Sequence, residues 1–167
     1  PRFFCPGPLS AGATVCLPEG AAHHAARALR LGLGDAVTLF DGVGGEYSGR
    51  IAAIAKNRVE VALAAASAVE RESPLYIVLA QALQAGEKMD LTVQKAVELG
   101  VAAVQPLASR RSVVRLAGER AQRRVAHWRG VVVSACEQCG RNRLPAVGEV
   151  MPLEDWLATL GPLAPGE

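Results

Sequence analysis

Nine residues, ACEQCGRNR from Ala135 to Arg143, bring two thiols, a carboxylate, two amides and two guanidiniums into one short stretch. Cys136 and Cys139 have C-x-x-C spacing. A structural zinc site needs four ligands, and Cys5, Cys16, His23 and His24 supply no second pair at knuckle spacing. A redox C-x-x-C sits at a helix N-terminus, where the dipole lowers a thiol pKa. These thiols fall at the end of a predicted helix. Val125, Trp128, Val132, Ala135, Cys136 and Cys139 recur three and four apart, so both cysteines are expected to continue an apolar seam. No metal is expected. Glu137, Gln138 and Arg141 lie off that stripe, beside Gly140, where helix gives way to loop. A polar cluster there is either a helix cap or a site.

A second group of functional side chains, Arg110, Arg111 and Arg115 with Ser112 among them, follows an apolar run. Between Arg110 and Arg143 there are nine arginines against two glutamates, although the net charge of the whole chain is only +2. Guanidinium matches phosphate bidentately, so such a cluster suits a polyanion; it equally suits the solvated face of a long helix. His23 and His24 sit on one short helical stretch, where surface or packing roles are the ordinary outcome. DGVGGEY has glycines but no G-x-G-x-x-G between a strand and a helix, and no P-loop, H-E-x-x-H or G-x-S-x-G occurs.

The elements that must position these groups fall into two patterns. Up to about residue 70 the chain reads as mostly β. Strands are predicted at Arg2–Cys5, Thr14–Leu17, Ala36–Phe40, Glu46–Ala55 and Arg58–Ala64. A short helix at His23–Leu31 is expected to end at Gly32 and Gly34. D-G-V-G-G and K-N read as hairpin turns. SAVERESP, Ser67 to Pro74, is charged, ends in proline and reads as the boundary between domains 1–70 and 74–167. Beyond it strand and helix alternate: strands at Leu75–Leu83, Val101–Leu107 and Ala146–Val150, helices at Glu87–Leu99, Glu119–Cys139 and Leu153–Leu160. That alternation predicts an α/β domain with a largely parallel sheet, in which ligands sit beyond the carboxyl ends of the strands. Loops 84–87 and 108–118 and the turn near 151 are therefore expected to surround any site.

Half of the 167 residues are apolar and a fifth charged, a globular composition. No apolar run approaches the roughly 20 residues of a membrane span, and Pro6, Pro8 and Pro18 break up the segment where a signal peptide would lie. Four scattered cysteines suit a reducing compartment. A cytoplasmic protein is expected. The chain starts at Pro1 and stops in GPLAPGE after three βα units, which suggests part of a longer protein.

Gln81 to Leu116, QALQAGEKMDLTVQKAVELGVAAVQPLASRRSVVRL, and ACEQCGRNRLP, Ala135 to Pro145, closely resemble the RsmE family. PRFF, HHAARALRLGLGD and LFDGVGGEYSGRI resemble it in the N-terminal half, so the likeness covers essentially the whole chain. The resemblance implies methyl transfer from S-adenosylmethionine to N3 of a uridine in 16S ribosomal RNA. It implies a PUA-like β-barrel for RNA recognition, then a SPOUT-type α/β domain with a trefoil knot, in a homodimer. Its partners are 16S rRNA or the small ribosomal subunit. The family's glycine-rich G-P-E-G-G loop and L-R-T-E-T segment, which form the knot and hold the cofactor, do not occur here. The fold is thus expected to be truncated before the knot, the cofactor-binding residues to lie mostly beyond Glu167, and the chain alone to be inactive.

Uracil N3 must lose its proton before it attacks a methyl group. A general base helps, or cations that stabilise charge spread over O2 and O4. Glu137, Arg141 and Arg111 are the expected catalytic residues, with Glu137 as base or as orienter of Arg141. Arg2, His24, Arg30, Arg110 and Arg115 are the expected RNA contacts. The alternative is a non-catalytic RNA-binding module with the same basic surface.

Overall fold

The computed structural model describes residues 1–56, 58–110 and 116–161. They form two compact units. One comprises Pro1–Glu72 with Cys136–Leu144, the other Ser73–Ala135 with the described residues from Pro145 on.

In the first unit, β1 (Arg2–Phe4), β2 (Thr14–Cys16), β3 (Ala36–Phe40), β4 (Glu46–Ala55) and β5 (Arg58–Ser67) make one sheet in the order β1-β3-β4-β5-β2. β3, β4 and β5 are an antiparallel meander, β2 adds antiparallel to β5, and β1 lies parallel to β3. The alternation that predicts these strands decides which face is buried. On β5, Val59, Val61 and Leu63 point inward while Arg58, Ala62 and Ala64 are exposed. Phe3, Leu39 and Ile51 complete that core, with Ala22 and Ala25 from a helix packed onto it.

That helix differs from the expected His23–Leu31. It begins earlier, as α1 (Glu19–His23), because Pro18 just before it has an extended backbone whose carbonyl accepts the first helical bond, from Ala22 N–H at 2.8 Å. It then widens into a π-helix, His24–Ala28, closed by Leu29 N–H donating to His24 O at 3.0 Å. The chain leaves through Arg30, in the left-handed region at φ 54°, before Gly32 is reached.

In the second unit, β7 (Ala103–Ala108) is central, parallel to β6 (Val78–Ala82) on one side and to β8 (Ala146–Val147) and β9 (Met151–Pro152) on the other. The expected parallel α/β sheet is present. Helix α2 (Lys88–Glu98) buries Met89, Val93, Ala96 and Val97, a single stripe. Helix α3 (Gly118–Cys139) buries Trp128, whose indole N–H donates to Asp90 Oδ1 on α2 at 3.1 Å. The other oxygen of Asp90 meets His127 Nε2 at 2.7 Å. Helix α4 (Leu153–Thr159) follows β9 directly. The strand predicted at Leu75–Leu83 is shorter, Val78–Ala82, and it is not buried throughout. β6 ends its sheet with one neighbour, and Tyr76 before it is 82% exposed.

Gly49 sits at an irregularity of β4, where an added Cβ would lie 2.7 Å from Val61 Cγ1 and 3.0 Å from Ala62 O. Gly49→Ala is expected to cost about 1–3 kcal/mol by overpacking. Gly20→Ala, with nothing within 4 Å of the added carbon, is expected to stabilise α1 by about 0.5–1 kcal/mol. Urea denaturation of the two variants measures the difference; equal midpoints would contradict this packing.

Candidate functional site

The GRNR stretch belongs to the first unit. Helix α3 ends at Cys139, and Gly140 reverses the chain at φ 89°. The residues that follow are partnered by Val69–Glu72. The Arg141 guanidinium forms an ion pair with the Glu72 carboxylate, its Nε donating to Oε1 at 3.1 Å. Asn142 Nδ2 donates to Val69 O at 3.1 Å, and Arg143 Nε to Glu70 Oε2 at 2.7 Å. Arg71, between the two glutamates, turns the other way. Its two terminal nitrogens donate to Glu46 at 2.8 and 3.2 Å, and one also to Gly140 O at 3.2 Å.

Arg2 closes the network. Its Nη1 donates to Glu46 Oε2 and its Nη2 to Asn142 Oδ1, both at 2.5 Å, and its guanidinium lies 5.2 Å from the centre of the Phe40 ring. Arg141 is 5% exposed and Asn142 fully buried. Buried charges of this kind stand only when paired and hydrogen-bonded, and losing one partner strands the other. The loop after β3 accommodates the approach. Leu144 N–H donates to Gly42 O at 3.0 Å, and Gly44, at φ 122°, leaves its missing side chain's place to the Arg143 guanidinium.

The electrostatics follow from these contacts. Hydrogen bonding to Arg71, and then to Arg2, outweighs burial and holds the Glu46 carboxyl at about 2. Arg143 lowers Glu70 likewise. Burial, reinforced by Cys139, pushes the Cys136 thiol up to about 12. Cys136 is fully buried, its S–H directed at Arg143 O at 3.6 Å, so it is neutral at physiological pH and serves as packing. Among the described residues no group of three or more His, Cys, Asp or Glu could hold a metal ion.

Glu137 behaves differently. Its Oε1 accepts the Phe4 backbone N–H at 2.9 Å, while Oε2 has no hydrogen bond among the described residues. Burial raises its pKa, opposed by the Phe4 hydrogen bond and by the charges of His24 and Arg2. Thus Glu137, Arg2 and His24, singled out separately on sequence grounds, share one electrostatic environment. His24 is exposed and stands edge-on to Phe3, ring centres 6.3 Å apart. Arg30 is exposed in the same unit. The carboxylate partner of Arg141 is Glu72. Arg110 lies in the second unit, 88% exposed, with Glu154 at 3.0 Å. Arg111 and Arg115 fall outside the described residues. Sequence reasoning missed Glu46, Glu70, Glu72 and Asn142. The available signal was complementarity: Glu70-x-Glu72 matches Arg141-x-Arg143.

Comparison with known proteins decides the family. The model of the RNA methyltransferase domain matches residues 71–163, more than half of the chain, and that of the RNA methyltransferase PUA domain matches 17–64. The chain belongs to the RNA methyltransferase family. A solved ribosomal RNA small subunit methyltransferase E from Neisseria gonorrhoeae, bound to S-adenosyl methionine, is 43% identical, with a TM-score of 0.91 over 96% of this chain and 66% of that one. A Legionella pneumophila protein solved with bound SAM is 36% identical, with a TM-score of 0.93 over the same shares. A ribosomal RNA small subunit methyltransferase E of Buchnera aphidicola is 29% identical over 88% of this chain and 60% of the relative. The chain thus spans about two thirds or less of these relatives. The expected PUA-like and α/β fold is that of its solved relatives.

The folded-state pKa of Glu46 lies below its ordinary 4.5, so its contribution to stability is present above the unfolded value and lost as pH falls from about 5 towards 2. Glu46→Gln is expected to lower stability at pH 7 by about 2–4 kcal/mol, since it strands Arg2 and Arg71, and to flatten the acid limb. Thermal melts across pH 2–7 check both; a parallel acid limb in the variant contradicts the pairing.

Proposed function

We propose that this family member transfers a methyl group from S-adenosylmethionine to N3 of a uridine in 16S rRNA, in the cytoplasm and as a homodimer. The observation that carries the proposal is the likeness, at 43% identity and over 96% of the chain, to a small-subunit rRNA methyltransferase holding S-adenosyl methionine.

In this reading the chemistry needs a base at uracil N3, and Glu137 is the carboxylate proposed for it. Burial raises its proton affinity, which brings a carboxylate closer to the basicity that deprotonating an imide requires. The hydrogen bond from Phe4 fixes one oxygen and leaves the other for a substrate proton. Arg141 is proposed as a positioning residue, because its charge is answered by Glu72. Arg111 remains the proposed cation for charge developing on O2 and O4, and Arg110 and Arg115 phosphate contacts. S-adenosylmethionine supplies the electrophilic methyl when bound, and the protein supplies in-line positioning.

The complete protein is to be incubated with methyl-labelled S-adenosylmethionine and small subunits lacking the modification, and digested nucleosides read by mass spectrometry. N3-methyluridine is expected. RNA binding with neither methyl transfer nor S-adenosylmethionine binding overturns the proposal in favour of an RNA-binding module. Glu137→Gln keeps an acceptor for Phe4 N–H, so its melting temperature is expected to hold while kcat falls about 10²–10⁴-fold. An unchanged kcat removes Glu137 as the base.

A further inference from the structure

The charges of the first unit are sorted. Around the GRNR stretch, Arg2, Arg71, Arg141 and Arg143 are all answered by Glu46, Glu70 and Glu72. At the helix that packs on the sheet they are not. A cavity of about 150 Å³ opens between α1 with its π-helical continuation and the ends of β4 and β5. Its lining includes Glu19, His23, Arg27, Lys56, Arg58 and Val59. Arg27 and Lys56 are exposed and make no ion pair or side-chain hydrogen bond among the described residues. Glu19 is the one carboxylate in the lining, and Arg58 is paired with Glu60 at 2.8 Å.

We infer that this cleft seats a backbone phosphate of the RNA, gripped by Arg27 and Lys56 with His23 and Arg58 beside them. The inference rests on the RNA-substrate reading above and adds a contact that the sequence motifs did not single out. Three observations support it. Small-molecule pockets usually exceed roughly 300 Å³, and this cavity is about 150 Å³. A phosphate group fits there, with its ribose and base left outside. His23 and Arg27 are four residues apart and both line the cavity, one on the α turn and one on the π turn. A π turn is rare and recurs at functional sites. Finally, unanswered cations beside a cavity give a field that draws an anion, whereas the neutralised arginines at the other end of the unit do not.

The test is the salt dependence of binding. Complete wild-type protein and the double variant Arg27→Ala with Lys56→Ala are titrated with in vitro-transcribed 16S rRNA over a range of KCl. Loss of the grip on one phosphate is expected to reduce the slope of log K against log salt by about 0.7–0.9, and to weaken binding at least tenfold at low salt. Arg50→Ala, whose guanidinium already donates to Gly34 O at 2.8 Å, is the control and should leave the slope unchanged. Both substituted side chains are exposed, so a matching melting temperature will show that the fold is intact. A double variant with wild-type slope and affinity overturns the inference. Inorganic phosphate that binds the wild type and not the double variant, while RNA affinity and slope are the same in both, also overturns it, assigning the cleft to a free anion. Methyl transfer measured on the same preparations separates the two proposals. A changed slope without any methylation sinks only the enzymatic reading. Normal methylation with an unchanged KM for RNA in the double variant sinks only the cleft.

Discussion

One carboxylate, Glu46 at the start of β4, governs the first unit. It stands between Arg2, which begins β1, and Arg71, which follows β5, and both donate to it. Through Arg2 it reaches Asn142, and through Arg71 the carbonyl of Gly140. Strands and the returning segment after α3 are thus tied at one acid, which is why its proton affinity is so low. The constraint works in both directions. Where both partners are largely buried, as in Arg2–Glu46 and Arg141–Glu72, removing one strands the other.

That constraint alters the meaning of the arginine count. Read as composition, the arginines between Arg110 and Arg143 form a basic tract facing a polyanion. In the folded unit Arg141 and Arg143 are consumed by Glu72 and Glu70. The charge left for a polyanion in that unit lies elsewhere, on the π-helical segment and the end of the β4–β5 hairpin. Glu137 is the exception at the GRNR end: a half-buried carboxylate held by one backbone N–H. Its neighbour Cys136 is buried as packing, so the stretch that looked like a thiol motif is held in place by the clamp.

Local pattern carried much of this. β3 and β4 occupy the predicted residues, because turn residues bound them. The seam through Val125, Trp128, Val132, Ala135 and Cys136 is buried as its spacing requires, while Cys139 at its end is only part-buried. What pattern could not carry is contact between distant segments. Glu72 and Arg141 are 69 residues apart, and no periodicity links them, so the charged stretch SAVERESP read as a domain boundary and not as a set of ion-pair partners. The early start of the helix at Glu19 and its π turn were hidden for a similar reason. Propensity places a helix in HHAARALR, but tertiary burial of Ala22 and Ala25 decides where it runs. The exposed run at Tyr76 shows the converse: an apolar stretch predicts a strand, and only the topology says how many neighbours that strand has.

The central claim is that the guanidinium beside the methyltransferase signature is answered from within the fold. A double-mutant cycle across Arg141 and Glu72, using Arg141→Met, Glu72→Gln and the double variant, measures it by urea denaturation. Each single substitution should destabilise by about 3–5 kcal/mol and the double by less than their sum, giving a coupling of about 2–3 kcal/mol. Additive effects, with no coupling beyond about 0.5 kcal/mol, would contradict the clamp and return Arg141 to the list of groups free to meet a substrate.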